Sequence, residues 1–507
     1  MKKRLLSALL VLLLAAAAIV VACLKIPFKS VEGDDGEAVD VVYDKETVYL
    51  WYSDDALTDY LNAACVQYNE EHGTRIVPSL QSPLEYLNNI NKTSIEADVP
   101  DLYIVSHDML GTAYMAGLAS EISMDKAQFE SLYLKESEAA VTYKDMLMGY
   151  PLSFETSTML YNETYLKSMA LKALWQDEMA AESDGEEEEA DPRKEPEAEP
   201  TLEELEAKYT PDQIAAKIQE ILPVTMEQMT ELADNFDAPD EMESFMTWDV
   251  SDIFYNYFFI GDAIDVGGEE GWDKNKIDIY NLESLKSFKA YQGLNNFFSI
   301  DPSESKYGKI LNDFIEGKIV FTIATTDAIG MLEAAKAEGT LKYDYGVMLI
   351  PDMNESLDTR AMSTTACVAI NPYSKHVEVA NDFAKHLTVD YSQDLYMKTG
   401  KITCSMQTEY DFPAFTIFAL EYNYSKPLPK ILETNNFWVK LEATFAEVWE
   451  GGDYNKLLKE LAEQMAYQVT GERPSFETIE VPDESEELEY FDEDAIRQEL
   501  ASEEDNG

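Results

Sequence analysis

Three short apolar runs, separated by stretches with helical periodicity, begin the main body of the chain. The runs are "TVYLWYS" (47–53), "TRIVPSL" (74–80) and "PDLYIVS" (100–106), and their β-branched and aromatic residues favour strands. The intervening "DDALTDYLNAACVQYNEEHG" ends at Gly73 and places one set of apolar residues on a single helical face: Leu57, Leu61, Ala64, Cys65 and Tyr68. Strands that alternate with helices predict an α/β fold, in which a parallel sheet carries helices on its faces.

A longer apolar stretch precedes these elements. The basic start "MKKR" is followed by apolar sequence from Leu5 to Ala22, which is typical of an export signal. The stretch ends in "VVAC", which resembles the lipobox of bacterial lipoproteins, so residues 1–23 are predicted to be a lipoprotein signal peptide and Cys23 the lipidated residue. The alternative is an uncleaved transmembrane anchor, because the stretch is about as long as a bilayer span requires. Both alternatives attach the protein to the outer face of the bacterial cytoplasmic membrane, with residues 24–46 as a tether.

The net charge narrows the classes of partner. The 507 residues include 98 acids and 38 bases, a formal net charge of −60. This charge repels the phosphates of nucleic acids, so a nucleic-acid partner is not expected. Much of the charge is concentrated in an insertion at about 176–207 and in a tail at 472–507. The insertion is predicted to be a disordered or partly helical surface segment, and both segments are predicted to be solvated rather than part of a site.

The cysteines and histidines predict neither a disulfide framework nor a metal centre. With Cys23 assigned to the lipid, Cys65, Cys367 and Cys404 remain, and such an odd, widely spaced set is no disulfide pattern. Cys65 lies on the apolar helical face, where a core role is favoured over thiol chemistry. Because no cysteine cluster or histidine pair has zinc-ligand spacing, we expect no metal, and we expect no cofactor.

Polar and aromatic residues follow the ends of the first and third predicted strands. In open parallel sheets, ligands gather outside the carboxyl ends of the strands. The residues expected to face one crevice there are Trp51, Tyr52, Asp54, Asp55, His107 and Asp108. For Asp55 a helix-capping role is favoured, and for His107 we expect a hydrogen bond from the wall of the crevice rather than catalysis.

Seven segments of the chain, taken together in their order, resemble the extracellular solute-binding proteins of the maltose- and oligosaccharide-binding type. They are "LWYSDD", "YNEEHGTRI", "PDLYIVSHDMLGTAYMAGLASEI", "GYPLSFETSTMLYNETYL", "FIEGKIVFTI", "YGVMLIPDM" and "NPYSKHVEVANDFAKHLT". The resemblance extends from about Thr47 to Gly471. It implies a two-lobed, periplasmic-binding-protein-like α/β fold of type II, in which the lobes close on a ligand around a hinge.

The resemblance also implies where the lobes lie along the chain. Lobe 1 is expected to contain residues 47–143 and 366–413, and lobe 2 residues 144–365 and 414–471. The chain would cross between the lobes three times, near 141–145, 363–368 and 411–416.

Family matching assigns ligand roles to particular residues. The segment "YPLSFET" matches a strand-to-helix junction that presents an acid to the cleft, so Glu155 is predicted to accept hydrogen bonds from sugar hydroxyls. Asp108 matches a position of the same role in lobe 1, although Met109 replaces the basic residue that can follow it in maltodextrin binders. Aromatic stacking platforms are expected from Trp438 in "FWVKL", from Trp248 and from Tyr257, with a core position as the alternative for each tryptophan. Together with Asp54, His107 and Tyr52, these residues form the predicted site.

The resemblance implies that the protein captures a carbohydrate, with an oligosaccharide favoured, and delivers it to the permease of an ABC transporter. We expect a monomer without catalytic activity. Two alternatives remain open. In one, Asp108 and Glu155 face each other as the acid pair of a glycoside hydrolase. In the other, the same fold serves a surface adhesin or a sensor subunit.

Overall fold

A computed structural model of the protein describes residues 47–96, 100–183, 200–410, 412–472 and 474–482. The predicted signal peptide or anchor with Cys23, the tether, the middle of the acidic insertion and most of the acidic tail lie outside the described residues. Within the described ranges, none of the helices combines the length and apolarity needed to cross a membrane. The described residues form an α/β structure, as the sequence predicts.

The strands are β1 (Thr47–Tyr52), β2 (Arg75–Leu80), β3 (Leu102–Ser106), β4 (Thr142–Tyr143), β5 (Met146–Leu147), β6 (Tyr150–Asn162), β7 (Ser244–Met246), β8 (Asp265–Val266), β9 (Ile277–Asp278), β10 (Ile319–Thr325), β11 (Tyr345–Met348), β12 (Met362–Ile370), β13 (Ile402–Thr403) and β14 (Lys426–Pro427). The α-helices are α1 (Thr58–His72), α2 (Tyr86–Glu96), α3 (Leu110–Met115), α4 (Lys126–Leu132), α5 (Lys135–Val141), α6 (Glu163–Ser183), α7 (Leu202–Lys208), α8 (Pro211–Ile221), α9 (Met226–Asp234), α10 (Leu282–Phe298), α11 (Tyr307–Ile315), α12 (Ala328–Glu338), α13 (Val377–Lys385), α14 (Leu395–Thr399), α15 (Pro413–Tyr424), α16 (Asn435–Trp449) and α17 (Tyr454–Thr470). Short 3₁₀ turns include Asp55–Leu57, His107–Met109, Ile253–Tyr255 and Tyr257–Phe259.

The first three strands form the predicted parallel sheet. β1 pairs in parallel with β2 along its whole length and with β3 at Leu50 and Trp51. The five apolar residues predicted to share one face near α1 are all buried, which confirms the core role of Cys65. α1 is followed by Gly73 at φ 64°, a left-handed conformation that favours glycine. Because β1 and β3 are parallel neighbours, their carboxyl ends share one edge of the sheet.

The long strand β6 joins two parts of the sheet. From Tyr150 to Thr156 it pairs antiparallel with β12, and from Ser157 to Tyr161 it pairs antiparallel with β10. All of its side chains are buried except Glu155, which is half-buried. A strand covered on both faces needs apolar side chains or polar ones whose hydrogen bonds are satisfied inside the protein. This requirement explains the apolar and hydroxyl-rich sequence of the segment.

The strand order of the main sheet is β2-β1-β3-β12-β6-β10-β7. β11 and β13 also pair with β6, and β14 pairs with β12. β12 is antiparallel to both of its long neighbours, β3 and β6. The pairs β4–β5 and β8–β9 form two small separate hairpins.

Buried apolar side chains form two clusters around this sheet. The first contains β1, β3 and residues 150–154 of β6, and the second contains the aromatic residues Trp248 and Trp449. Two clusters agree with a two-lobed protein. Residues 150–154 and α15 pack in the first cluster, although the resemblance assigns both to lobe 2. The lobe boundaries themselves stay a prediction, for which the change of partner strand at Thr156–Ser157 suggests a later first crossing than 141–145.

Both ends of the acidic insertion at about 176–207 are helix, in agreement with the partly helical alternative. α6 continues to Ser183, and α7 begins with a capping box between Thr201 and Glu204. Leu205 is buried in the second cluster. Glu178 of α6 accepts a hydrogen bond from the Tyr209 hydroxyl at 2.8 Å. The acidic composition conceals these contacts, because only a few residues of the segment are packed.

The first part of the predicted acidic tail also packs on the body of the protein. The backbone N–H of Ile479 donates to the Tyr280 hydroxyl at 3.0 Å, and its carbonyl accepts from Nδ2 of Asn455 at 2.7 Å. The side chains of Ile479 and Val481 pack against the second cluster. The folded structure therefore continues beyond Gly471, where the resemblance ends.

Replacing Ile479 by alanine tests this packing. We expect Ile479→Ala to lower the free energy of unfolding by about 1 kcal/mol, because a half-buried aliphatic side chain loses part of its burial. The neighbouring Glu480 is exposed, so Glu480→Ala is the matched control and should change stability by less than about 0.5 kcal/mol. Urea denaturation followed by circular dichroism measures both. Equal stability of the two variants would contradict packing of this segment.

Candidate ligand-binding site

Glu155 lies where three strands approach one another. Its partner on β12 is Thr364. The register of β10 with β6 ends at Thr325–Ser157, so the chain that leaves β10 at Thr326 passes close to Glu155. The register of β13 pairs Ile402 with Phe154, and Lys401 therefore precedes β13 beside Glu155. Residues distant in sequence thus surround one half-buried carboxylate.

Thr326 holds one oxygen of the Glu155 carboxylate. Its backbone N–H donates to Oε1 at 2.7 Å, and its hydroxyl donates to the same oxygen. Burial raises the pKa of Glu155 to about 7, and the negative charge of Asp327 adds to this rise. The two hydrogen bonds from Thr326 and the positive charge of Lys401 act in the opposite direction. The carboxylate is therefore oriented, and it changes its charge near neutral pH.

A stacked pair of tyrosines lies next to this carboxylate. The rings of Tyr255 and Tyr307 are parallel to within 26°, with centroids 4.6 Å apart. The Tyr307 hydroxyl donates to Oδ1 of Asp327 at 2.9 Å, and the side chain of Asp327 is exposed. Tyr307 packs against both apolar clusters. The neighbourhood of Glu155 therefore contains aromatic faces and a second, accessible carboxylate.

An ion pair connects the end of β1 to Lys401, which lies beside Glu155. Oδ2 of Asp54 lies 2.9 Å from Nζ of Lys401. Asp54 is also the residue that caps the turn after β1, since its Oδ1 accepts the N–H of Ala56 at 3.0 Å. The structure thus corrects the capping role predicted for Asp55. Tyr52 is buried, and its hydroxyl donates to Oγ1 of Thr58 at 3.1 Å, so it supports the turn from within.

His107 is a buried structural residue rather than a hydrogen-bonder on the wall of a crevice. Its Nδ1 accepts the N–H of Thr365 at 2.9 Å, so Nε2 carries the proton and donates to the carbonyl of Leu428 at 3.0 Å. Burial lowers the pKa of His107 to about 3, and the positive charge of Lys430 acts in the same direction. The ring is therefore neutral, and neither nitrogen is available to a ligand in this conformation.

Asp108 is half-buried in the turn that begins at His107. The N–H of Thr365 on β12 binds the His107 ring, while the adjacent Thr364 is the strand partner of Glu155. β12 lies between β3, which leads into Asp108, and β6, which carries Glu155. The two acids are therefore on opposite sides of β12 within the sheet. Met109 is exposed beside Asp108.

The three predicted aromatic platforms differ in burial. Trp248 is fully buried, and its Nε1 donates to Oδ1 of Asn256 at 2.9 Å, so it is a core residue and offers no stacking face. Tyr257 is buried as well, and its ring lies edge-on to Trp438 with centroids 5.7 Å apart. Trp438 on α16 is half-buried. Of the three, only Trp438 retains a surface that a ligand could contact.

Sequence reasoning did not identify several residues that the structure places around Glu155. They are Tyr255, Tyr307, Thr326, Asp327 and Lys401. Tyr255 lies in the aromatic segment "DIFYNYFF", where the sequence does not show which of the rings lies beside Glu155. Thr326 and Asp327 directly follow a strand, which is a signal for a site, but their proximity to Glu155 depends on a register that the sequence does not show.

The fold and this site define a class of protein. A single long strand joins two parts of one sheet and presents an oriented carboxylate next to aromatic faces. Such an α/β protein with two apolar clusters is a ligand-binding protein of the two-lobed type.

The chain belongs to the bacterial extracellular solute-binding proteins, since residues 63–412 match that family. Among curated relatives, the maltooligosaccharide ABC transporter solute-binding lipoproteins of two Streptococcus pneumoniae strains, R6 and TIGR4, are each 20% identical over 396 residues, which is 76% of this chain and 80% of the relative. The family resemblance predicted from the sequence is thereby confirmed.

Solved structures confirm the fold. An extracellular solute-binding protein from Staphylococcus aureus in complex with maltose has a TM-score of 0.64 at 18% identity, and the match covers 84% of this chain and 98% of that one. A cyclo/maltodextrin-binding protein complexed with maltotetraose has a TM-score of 0.64 at 17% identity, covering 85% and 99%. The predicted type II solute-binding fold is therefore correct.

The buried His107 leads to a pH-dependent prediction about stability. His107→Phe leaves the N–H of Thr365 and the carbonyl of Leu428 unsatisfied, which should cost roughly 1 to 3 kcal/mol for each group at pH 7.5. Because the folded pKa lies below the unfolded value near 6.5, the wild type loses stability as the pH falls below about 6.5, by at most about 1.4 kcal/mol per pH unit. The variant has no ring that titrates at this position and does not lose this stability. The difference in free energy of unfolding between the wild type and His107→Phe should therefore become smaller between pH 7.5 and pH 5.

Urea unfolding at several pH values measures this difference in the free energy of unfolding. The matched control is His72→Phe, because His72 is exposed at the end of α1. That variant should stay within about 0.5 kcal/mol of the wild type. If the stability difference between the wild type and His107→Phe does not change with pH, the His107 ring is not neutral and buried.

Proposed function

We propose that this solute-binding protein captures an oligosaccharide between its lobes and presents it to the permease of an ABC importer. The observation that carries the proposal is Glu155, an oriented carboxylate next to aromatic side chains in the middle of the strand that joins the two parts of the sheet. The maltooligosaccharide-binding relatives and the maltose and maltotetraose complexes support the choice of a sugar ligand.

The geometry of Glu155 suits a neutral ligand rich in hydroxyl groups. Thr326 occupies Oε1 with two donors, which leaves Oε2 to accept hydrogen bonds from a sugar. A hydrogen bond to an ionised carboxylate is stronger than one between neutral groups. Asp327 and the Asp54–Lys401 ion pair offer further polar partners in the same region. The proposed polar contacts of the ligand are therefore Glu155, Asp327 and Asp54, with Asp108 on the far side of β12.

Aromatic faces would supply the apolar part of sugar recognition. The apolar faces of sugar rings bury well against aromatic side chains, at about 25 cal/mol per Å². Tyr255 and Tyr307 are already stacked beside Glu155. Trp438 is half-buried on α16, which is tied to the same aromatic segment by a hydrogen bond from the N–H of Ile253 to Glu442 at 3.3 Å. We propose Tyr307 and Trp438 as the stacking residues.

We propose binding without catalysis, and attachment of the monomer to the membrane through a lipid on Cys23. The family is one of solute-binding proteins, and its curated relatives are named lipoproteins. Asp108 and Glu155 lie on opposite sides of β12, with one oxygen of Glu155 already bonded to Thr326. Incubation of the pure protein with labelled maltotriose tests this point, because products in excess of protein would establish an enzyme instead.

Glu155→Gln tests the carboxylate directly. The substitution keeps the shape of the side chain but removes its charge, so maltotriose binding should weaken by about 1 to 3 kcal/mol. Isothermal titration calorimetry measures the affinity, and circular dichroism verifies folding. The control is Glu163→Gln, the next acid along the same segment, at the start of α6. If Glu155→Gln is folded and binds with wild-type affinity, Glu155 is not part of the site.

The pKa of Glu155 adds a second measurement. If the ligand binds the ionised carboxylate, binding below a pKa of about 7 requires release of a proton. Wild-type affinity should then rise between pH 6 and pH 8 by up to about tenfold. In Glu155→Gln this rise should disappear. A pH-independent wild type would show that charge on Glu155 does not contribute to binding.

Trp438→Ala tests the aromatic contribution. Loss of a stacking face should weaken maltotriose binding by about 1 to 2 kcal/mol while leaving the fold intact, because the ring is only half-buried. Val439 is the adjacent residue of α16 and is exposed, so Val439→Ala should bind like the wild type. Calorimetric titration of both variants compares them. Equal affinities would place Trp438 outside the site.

A further inference from the structure

A cavity of about 810 Å³ lies away from Glu155. Its wall is built from α5, the C-terminal end of α15, the chain before β12 and the turns between Asp262 and Glu270. None of the residues that we propose for sugar binding lines it. Volumes of this size are typical of small-molecule sites.

The cavity and Glu155 are on opposite faces of the sheet. Phe154 stacks on Tyr422 of α15 with centroids 4.3 Å apart, and Oγ1 of Thr365 lies 2.6 Å from the Tyr422 hydroxyl. Side chains alternate along a strand, so Glu155 and Thr364 point to the other face. Glu421 precedes Tyr422 in α15 and lines the cavity. A ligand in the cavity would therefore be separated from the sugar by the strands themselves.

The wall of the cavity is strongly acidic. Of its sixteen lining residues, eight are acids and two, Lys135 and Arg360, are bases. The guanidinium of Arg360 is already engaged, with Nη2 at 3.0 Å from Oε2 of Glu269 and Nε donating to the carbonyl of Tyr424 at 2.8 Å. Two lysines from outside the wall also pair with its acids, Lys426 with Glu269 at 3.1 Å and Lys126 with Glu138 at 2.5 Å. The eight acids still outnumber these four bases, so the wall attracts cations.

Glu136 is the residue of this wall that points most directly to a ligand site. The side chain lines the cavity and is 5% exposed, yet its Oε1 is buried with no hydrogen-bond partner among the described residues. Burial raises the pKa of Glu136 to about 8, against the opposing effect of Arg360. A buried polar atom without a partner is costly, and native proteins retain few of them. Burial thus favours the neutral carboxyl, and a donor that carries positive charge would both satisfy this oxygen and favour the ionised form.

Glu421 provides a second carboxyl group at the wall. It is 6% exposed, and its Oε2 accepts the N–H of Ile350 at 3.0 Å. Burial also raises the pKa of Glu421, to about 7. Glu136 is on α5 and Glu421 on α15, so two different helices present buried carboxyl groups to one space.

We propose that this cavity is a second ligand site, which binds a small organic cation with two or more ammonium groups. An ammonium group has three donors and no acceptor, which matches a wall of carboxylates. The volume exceeds what a single ion needs, and acids from several segments surround it. The described residues include no group of His, Cys, Asp and Glu that could hold a metal ion, so an organic cation fits better than a metal. The site does not depend on the proposed sugar function.

Spermidine is a suitable probe, titrated by calorimetry into the full-length protein at constant ionic strength. We expect saturable binding of one spermidine per chain, and no binding of the neutral 1,5-pentanediol. Glu136→Gln should weaken spermidine binding by at least about tenfold, because a charge-assisted contact is lost. The matched control is Glu283→Gln, an exposed acid of α10, which should bind spermidine like the wild type.

Diffuse attraction to the negative charge of the chain is the outcome that would overturn the site. It would appear as several weak binding events per chain that Glu136→Gln and Glu283→Gln alter equally. Absence of any spermidine binding would contradict the proposed site as well. If Glu136→Gln does not fold by circular dichroism, Glu421→Gln decides by the same criteria. A parallel maltotriose titration of the wild type reports on the sugar function alone, so failure of one proposal is distinguishable from failure of the other.

Discussion

The alternation of side chains along β6 determines where the polar sites of this protein lie. The strand is paired along most of its length, first with β12 and then with β10. Backbone hydrogen bonds therefore fix its orientation, and each side chain must point to one face or the other. Phe154 faces α15 and Glu155 faces the opposite way. A shift of register by one residue would exchange them, burying the carboxylate beneath α15 and exposing an aromatic ring.

Polar groups around β12 hold the neighbouring segments in place. His107 links the end of β3 to β12 and to the chain before α16, through hydrogen bonds to Thr365 and Leu428. Lys430 continues this link, since its Nζ donates to the carbonyls of Ala139 and Ala140 at 2.9 Å each, at the C-terminal end of α5. A cation there is favoured by the helix dipole, while burial lowers the pKa of Lys430 to about 7. Both nitrogens of the His107 ring are bonded, and Nζ of Lys430 has two carbonyl partners, so these contacts favour a single arrangement of the segments.

The carboxyl groups of Glu155 and Glu136, one at each proposed site, differ in their hydrogen-bond partners. Glu155 has two donors from Thr326 on one oxygen, and a nearby lysine lowers its pKa against the effect of burial. Glu136 has a buried oxygen with no partner among the described residues, and its pKa rises further. The first is oriented in advance for hydroxyl groups. The second has an unpaired oxygen in an acidic wall, and we therefore propose ligands of different charge for the two sites.

Local sequence patterns were sufficient for the fold class, the first three strands, the helix that ends at Gly73 and the strand-to-helix turn after β6, because hydrophobic periodicity and glycine conformation act over a few residues. The position of Glu155 was less accurate, because the family match placed it at a strand-to-helix junction and the structure places it in the middle of β6. The pattern could not separate Trp438, which is half-buried, from Trp248, which is fully buried, since an indole has the same apolar character in a core as on a wall. Nor could it show that Ile479 packs on the body, because two apolar residues among acids carry no periodic signal.

The sequence by itself determined the alternation of strands and helices at the start of the main body, and it showed one carboxylate within an apolar and hydroxyl-rich run. Only the tertiary structure decided which groups meet that carboxylate. Thr326, Lys401 and Tyr307 come from segments far apart in the chain, and they reach Glu155 through the registers of β10 and β13 and the packing of α11. It also placed Glu136 and Glu421 around one cavity on the opposite face. Strand register and helix packing depend on contacts between distant residues, which a linear pattern of apolar and polar positions does not encode.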